Sequence, residues 1–310
     1  MGISLLLAEE ITALFLMGAV GFLVVKLKML GAEDSRTISI LAVYVFSPCV
    51  ILNSFQIEFT KSKMAGLLLC FAAAVLTQFI FIAAVWLIGK AYPFKRIEKA
   101  SMIYTNAGYL TIPIVSGVMG DEWVFYASAY LVVFNLLMWT HGVMLIAKEK
   151  DMDVKKILLN PNIISCLLGI VLFIMQIRLP AVLGTCVSGF AKMVGPASML
   201  VIGMLVANVD LLAAFKQSRI YIICFIRLIL LPLIIIGVIK VTGATGLHIY
   251  GKQILCIVLL AAAAPVANGV TQIAQIFDKE PAYAGLINGV SVIFCVITMP
   301  LMVFIYELIM

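Results

Sequence analysis

Apolar stretches long enough to cross a bilayer follow one another along the whole chain, and that pattern leaves few folds open. A helix needs ~20 apolar residues to span a hydrocarbon core ~30 Å thick. On that rule ten spans are expected, over about 7–27, 36–55, 64–89, 97–119, 123–147, 157–177, 181–208, 218–240, 252–277 and 282–308. Only 12% of the 310 residues are charged and 64% are apolar, where a soluble domain carries about 25% charged residues. The expected fold class is an all-α polytopic membrane protein whose surroundings are the lipid bilayer. The turns between spans are too short to hold a soluble domain. The formal charge of +6 is spread over those turns, so it is not read as a nucleic-acid footprint. Glu9 and Glu10 stand where a signal peptide would carry a basic region, so no cleavable leader is expected.

Two spans depart from the pattern. The fourth carries Asn106-Ala-Gly-Tyr-Leu-Thr-Ile-Pro113 at its middle. Gly108 weakens a helix, Pro113 removes a backbone donor, and Asn106 brings an amide into an apolar setting. The ninth carries Ala-Ala-Ala-Ala-Pro-Val-Ala-Asn-Gly-Val-Thr-Gln over 261–272. Irregular backbone is tolerated at membrane depth only where protein or a wet cavity satisfies its polar groups. A pair of such breaks, one in each half, is the best sequence pointer to a transporter's binding site.

The run 148–156, Lys-Glu-Lys-Asp-Met-Asp-Val-Lys-Lys, is the most polar in the chain and divides it into 1–147 and 157–310. Five spans in each half force the second half to be inserted upside down, the arithmetic of an inverted repeat. Pro48 and Pro196 sit in the second and seventh spans, and the broken fourth answers the broken ninth. Asp121 precedes Tyr126-Ala127 at the spacing by which Asp278 precedes Tyr283-Ala284. Loops on one side hold fourteen Lys and Arg, and those on the other hold five. The richer side, with the linker 148–156, is therefore expected in the cytoplasm and both termini outside.

In that orientation the second half of each broken span points its N-terminus at the membrane centre. The unpaired N–H groups and partial positive charge of such ends favour an anion. The expected substrate-binding residues are Asn106, Gly108, Tyr109, Pro113, Pro265, Asn268 and Gly269, with Arg227 as a charged candidate. The blander alternative is that Pro113 and Pro265 only kink packed helices. Arg227 lies ~13 Å into the eighth span at 1.5 Å per residue. It can attract an anionic substrate, pair with the carbonyl end of a broken helix, or snorkel to the surface. Lys192, four residues before Pro196, poses a similar choice. Asn135, Asn160, Asn162, Gln272, Gln275 and Asn288 are expected to bridge helices rather than bind ligand. Glu9, Glu10, Asp121, Glu122, Asp210, Asp278 and Glu307 fall near span ends, so a carboxylate proton relay lacks its central residue. No catalytic, metal or cofactor site is expected. The seven cysteines are scattered singly, His141 and His248 are the two histidines, and His141 is expected to be packed or interfacial.

These residues resemble the auxin efflux carrier family in its short bacterial form, the malate or malonate permeases. The resemblance rests on 106–113 followed by Gly120-Asp121-Glu122, Tyr126 and Ala127, and on Tyr44-x-x-x-Pro48, Asn160-Pro161, Pro196, Pro265 and Thr298-Met-Pro300. It spans essentially the whole chain. It implies the fold of bile acid sodium symporters: ten helices in a 5+5 inverted repeat, with helices 4 and 9 broken and crossing. It further implies a scaffold of helices 1, 2, 6 and 7, a transport core of helices 3–5 and 8–10, and a homodimer as the assembly. Acidic sodium ligands, which the bile-acid branch leads one to expect, are missing at mid-span, and Lys192 departs from the family pattern.

The expected function is secondary transport of small organic anions, carboxylates in particular, by alternating access at the crossing. A sodium-coupled symporter of bile-acid type is the alternative within transport; a membrane channel or an intramembrane enzyme belongs to another class. Against an enzyme, neither H-E-x-x-H nor G-x-S-x-G occurs.

Overall fold

The computed structural model describes residues 3–147, 159, 161–207 and 217–310. Among these residues every extended element is helical. In chain order they are α1 (Ile3–Lys26), α2 (Ser35–Ser54), α3 (Lys61–Ala91), α4a (Arg96–Ile103) and α4b (Ala107–Thr111 running into Ile112–Met119). There follow α5 (Asp121–Ala147), α6 (Pro161–Ile174), α7 (Ala181–Ala207), α8 (Ser218–Thr242), α9a (Gly251–Ala263), α9b (Asn268–Ile276) and α10 (Pro281–Ile309). Six of them, α2, α3, α5, α7, α8 and α10, are long and apolar enough to cross a membrane. The fourth and ninth expected spans fall short because each is cut in two. The linker 148–156, Asn160 and Asp210 lie outside the described residues.

Exposed Leu68, Phe79 and Trp86 share α3 with buried Cys70, Ala74, Phe81 and Val85. Such a helix needs an apolar medium on one face and packed protein on the other. Its 31 residues measure ~46 Å, more than a bilayer core, so it spans with tilt.

The prolines explain local irregularities. A proline ring clashes with the carbonyl four residues back and cannot donate to it. Ala42–Phe46, Ala107–Thr111 and Ile226–Leu230 widen into π-helical turns just ahead of Pro48, Pro113 and Pro232. The wider turn takes the ring without ending the helix. In α7 the helix lapses at Lys192 and Met193, before Pro196.

Two backbones touch where α1 meets α7. A Cβ on Gly203 would collide with the carbonyl oxygen of Gly18, and one on Gly21 with that of Leu200. In lipid, where no water drives helices together, such close approach supplies the attraction. Around this pair, α2 packs on α6 and α7, α3 on α5 and α9a, and α8 and α9a on α10.

At one end of the bundle a buried carboxylate joins three helices. Glu98 of α4a accepts from Arg219 Nε and Nη2, both at 2.7 Å, and from Tyr283 Oη at 2.8 Å. It also takes the N–H of Lys95 at 2.6 Å, capping its own helix. Glu98 is fully buried and was not singled out from the sequence. Its place one turn into a span, behind Lys95 and Arg96, makes it look like one more charge at a membrane surface.

Candidate functional site

The two breaks meet. After Ile103 the chain leaves the helix, and Thr105 forms an antiparallel bridge with Val266. Asn106 N–H donates to the carbonyl of Pro265 at 2.8 Å, and Ala267 N–H donates to that of Tyr104 at 3.0 Å. Each interrupted span thus satisfies the other's freed backbone, as apolar surroundings require. Val266 N–H goes to Ser291 Oγ of α10 at 3.0 Å. The Tyr104 hydroxyl donates to Leu137 O at 3.0 Å and lies 2.7 Å from His141 Nδ1. The hydroxyl thus ties the His141 ring and the Leu137 carbonyl of α5 to the crossing. His141 is thereby a packed, half-buried brace of the crossing.

Arg227 serves the same junction. It is wholly buried, and its Nη2 donates to the carbonyls of Ala262 and Ala264, both at 2.8 Å. They belong to the last turn of α9a and to the residue that ends it, carbonyls a helix end leaves without internal partners. A cation at a helix C-terminus also complements the helix dipole. The guanidinium lies 5.2 Å from the centre of the Phe81 ring. Of the roles open to Arg227 from the sequence, the structure places it on the carbonyl end of a broken helix.

A cavity opens at the starts of α4b and α9b. It is lined by Asn106, Gly108, Ala267, Asn268, Gly269 and Gln272 from the two broken spans. Leu131, Phe134, Asn135, Met138 and Trp139 of α5 add a largely apolar wall, and Ala42, Ser47, Asn162, Val194 and Ser198 close it. Its volume is about 70 Å³, against the ~10–15 Å³ needed to hold one water. The volume suits a few waters or the head of a small acid.

Three of the residues lining this cavity carry amide nitrogens without a hydrogen-bond acceptor among the described residues: Nδ2 of Asn106, Asn135 and Asn268. All three residues are buried. The Asn268 amide is held by Asn288, whose Nδ2 donates to Asn268 Oδ1 at 2.8 Å, leaving the nitrogen of Asn268 as the spare group. A buried donor without a partner costs about 1–3 kcal/mol, so three around one cavity favour a ligand rich in acceptors. The first N–H groups of α4b and α9b, which have no acceptor inside their helices, begin at the same place.

Four of the expected site residues, Asn106, Gly108, Asn268 and Gly269, therefore share one cavity. Pro265, Pro113 and Arg227 lie apart, and the side chain of Tyr109 is outside the described residues. Pro265 contributes its carbonyl to the backbone bridge, and Tyr109 belongs to the π-helical turn of α4b. Pro113 lines a second cavity instead, because the break falls at 104–106 and Pro113 is already inside the resumed helix. Arg227 is not among the residues lining either cavity. Asn135, Asn162 and Gln272, expected as bridges between helices, also line the cavity. Their signal was present, since Asn135 is the one amide in the apolar run 124–137. Nothing in the order of residues said which way it faced.

The family model for membrane transport proteins matches residues 6–303. No curated protein matches the chain. The chain belongs to the membrane transport protein family, the auxin efflux carrier family its motifs resemble, and is a multi-pass membrane transporter.

Proposed function

We propose that the protein is a carrier of small organic anions, carboxylates above all, working by alternating access at the crossing of the two broken spans. The observation that carries this reading is the convergence of three spare amide donors and two helix starts on one cavity. These donors recognise a carboxylate while carrying no full charge, so the ligand leaves as readily as it binds. Arg227, engaged with Ala262 and Ala264, stabilises the crossing rather than the anion. In this reading the chain forms ten spans in two inverted repeats, 1–147 and 157–310. Helices α1, α2, α6 and α7 are the scaffold, and α3–α5 with α8–α10 move against it. The touching glycines of α1 and α7 suit a rigid scaffold, and Glu98 suits a core that moves as one body.

Counterflow in proteoliposomes tests the carrier. Labelled carboxylate outside should accumulate transiently against unlabelled carboxylate trapped inside, because a carrier exchanges one for the other. Simple equilibration without overshoot would instead describe a channel.

The fourteen-to-five bias of basic residues supports both termini outside and the linker 148–156 in the cytoplasm. In a variant without reactive cysteines, an impermeant maleimide applied from outside should label Met310→Cys and miss Lys150→Cys. The reverse labelling would invert the assignment of faces.

A further inference from the structure

A second cavity lies along the bundle from the first. It is lined by Ile112, Pro113, Ser116 and Gly117 of α4b, where the first is lined by Asn106 and Gly108. On α5 it takes Asp121 and Val124 rather than residues 131–139, and on α2 it takes Val50, Asn53 and Ser54 rather than Ala42 and Ser47. Each of these three helices places it toward the end of the bundle where α2 and α4b finish and α5 begins. Val194 lines both cavities, so the two are separated by little more than that layer. The second is the roomier, at about 200 Å³ on the same measure.

It also contains a charge that the crossing does not use. Lys192 lines it, eleven residues after α7 begins at Ala181. That is ~17 Å into the span, close to the middle of a hydrocarbon core. An ammonium there is expensive unless it faces a wet cavity or a partner, and an ionisable residue at that depth is a candidate functional group. Lys192 makes no ion pair among the described residues, and its described hydrogen bonds are backbone, to Ser188 O at 3.2 Å and to Phe190 O. The acid of the same cavity, Asp121, is exposed and accepts from Ser116 Oγ.

We infer that the second cavity is a binding vestibule for small organic anions, with Lys192 as its positive charge, on the far side of Val194 from the amide-lined site. This rests on the carrier reading and adds a second station to it. Lys192 attracts the anion by charge, and the amides beyond Val194 bind it without charge. A ligand passing between them moves from long-range attraction to short-range recognition.

The test uses small ions of known charge in place of the substrate. Ser188 lines the cavity one helical turn before Lys192. In the full-length protein, with exposed Cys186 and half-exposed Cys49 replaced by serine, Ser188→Cys is treated with thiosulfonate reagents. One bears a sulfonate and the other a trimethylammonium group. The anionic reagent should react faster relative to the cationic one, and Lys192→Gln should lower that ratio by roughly tenfold, the low end of the range for a cleft of one sign, because Asp121 opposes Lys192 here. Lys192→Arg should keep the ratio, and Asn106→Ala should leave it unchanged. A ratio indifferent to Lys192→Gln, or an introduced thiol silent to both reagents, would overturn the vestibule. Because the ratio is measured without substrate, it fails separately from the carrier reading, which counterflow decides.

Discussion

Replacing Arg227 with leucine should lower the stability of the folded protein by several kcal/mol. Two carbonyls, those of Ala262 and Ala264, depend on its Nη2. A leucine fills part of the volume but offers no donor. Each buried acceptor left alone costs about 1–3 kcal/mol, giving about 2–6 kcal/mol for the pair. Removing the cation also removes the cost of holding a charge out of water and of burying Nε and Nη1 without acceptors, which offsets part of that loss. The net effect should therefore fall in the lower half of the range. Arg227→Lys keeps the charge but reaches the two carbonyls with one compact ammonium instead of a planar fork, and should lose less than leucine. Thermal unfolding of the purified variants in detergent checks this, with the order wild type, lysine, leucine. A leucine variant melting with the wild type would mean that the end of α9a is satisfied in some other way. Affinity for the transported anion should change little in the lysine variant, because Arg227 does not line the cavity.

The class of fold was legible because bilayer thickness acts on composition: long apolar runs and sparse charge admit little else. The two breaks were legible for a related reason. Asn, Gly and Pro at mid-span are costly unless backbone groups are satisfied from outside the helix. What the residue order did not disclose is how that satisfaction is shared. The fourth span leaves its helix at 104–106, ahead of Gly108 and Pro113, because Asn106 N–H and Tyr104 O have partners waiting at Pro265 and Ala267. Those partners are some 160 residues away in the chain, and no local pattern encodes them. Pro113 marks a widened turn in a helix already resumed. Arg227 was recognisable as an unusual charge, but its choice between ligand and carbonyls depended on where α9a ends. Asn135 was hidden differently: a helix packed nearly all round, as α5 is between Val124 and Leu137, gives no periodicity to say which residue meets a cavity. Glu98 was hidden because its partner Arg219 lies in another half of the chain and resembles an ordinary basic residue at a membrane surface.

Asn106→Ala and Asn268→Ala should each weaken binding of the transported anion strongly while leaving the fold intact. Each removes a donor whose nitrogen has no acceptor among the described residues, so no internal hydrogen bond to that nitrogen is lost. For Asn268 the Asn288 amide loses its acceptor, and Asn288→Ala should reproduce part of the effect by freeing Asn268 to turn. The backbone bridge uses Asn106 N–H rather than its side chain, so alanine keeps the crossing. A hydrogen bond to a charged group contributes about 1.5–3 kcal/mol, which is roughly ten- to a hundredfold in affinity. The most direct measurement is calorimetric titration of the wild type and the two alanine variants with the carboxylate that most raises the wild-type melting temperature in a screen of small organic acids. The account predicts affinity down by roughly ten- to a hundredfold in each variant, with the melting temperature of Asn106→Ala close to wild type and that of Asn268→Ala lowered by the lost Asn288 hydrogen bond. Wild-type affinity in both variants would contradict it, and would make the crossing a structural junction with the anion bound elsewhere.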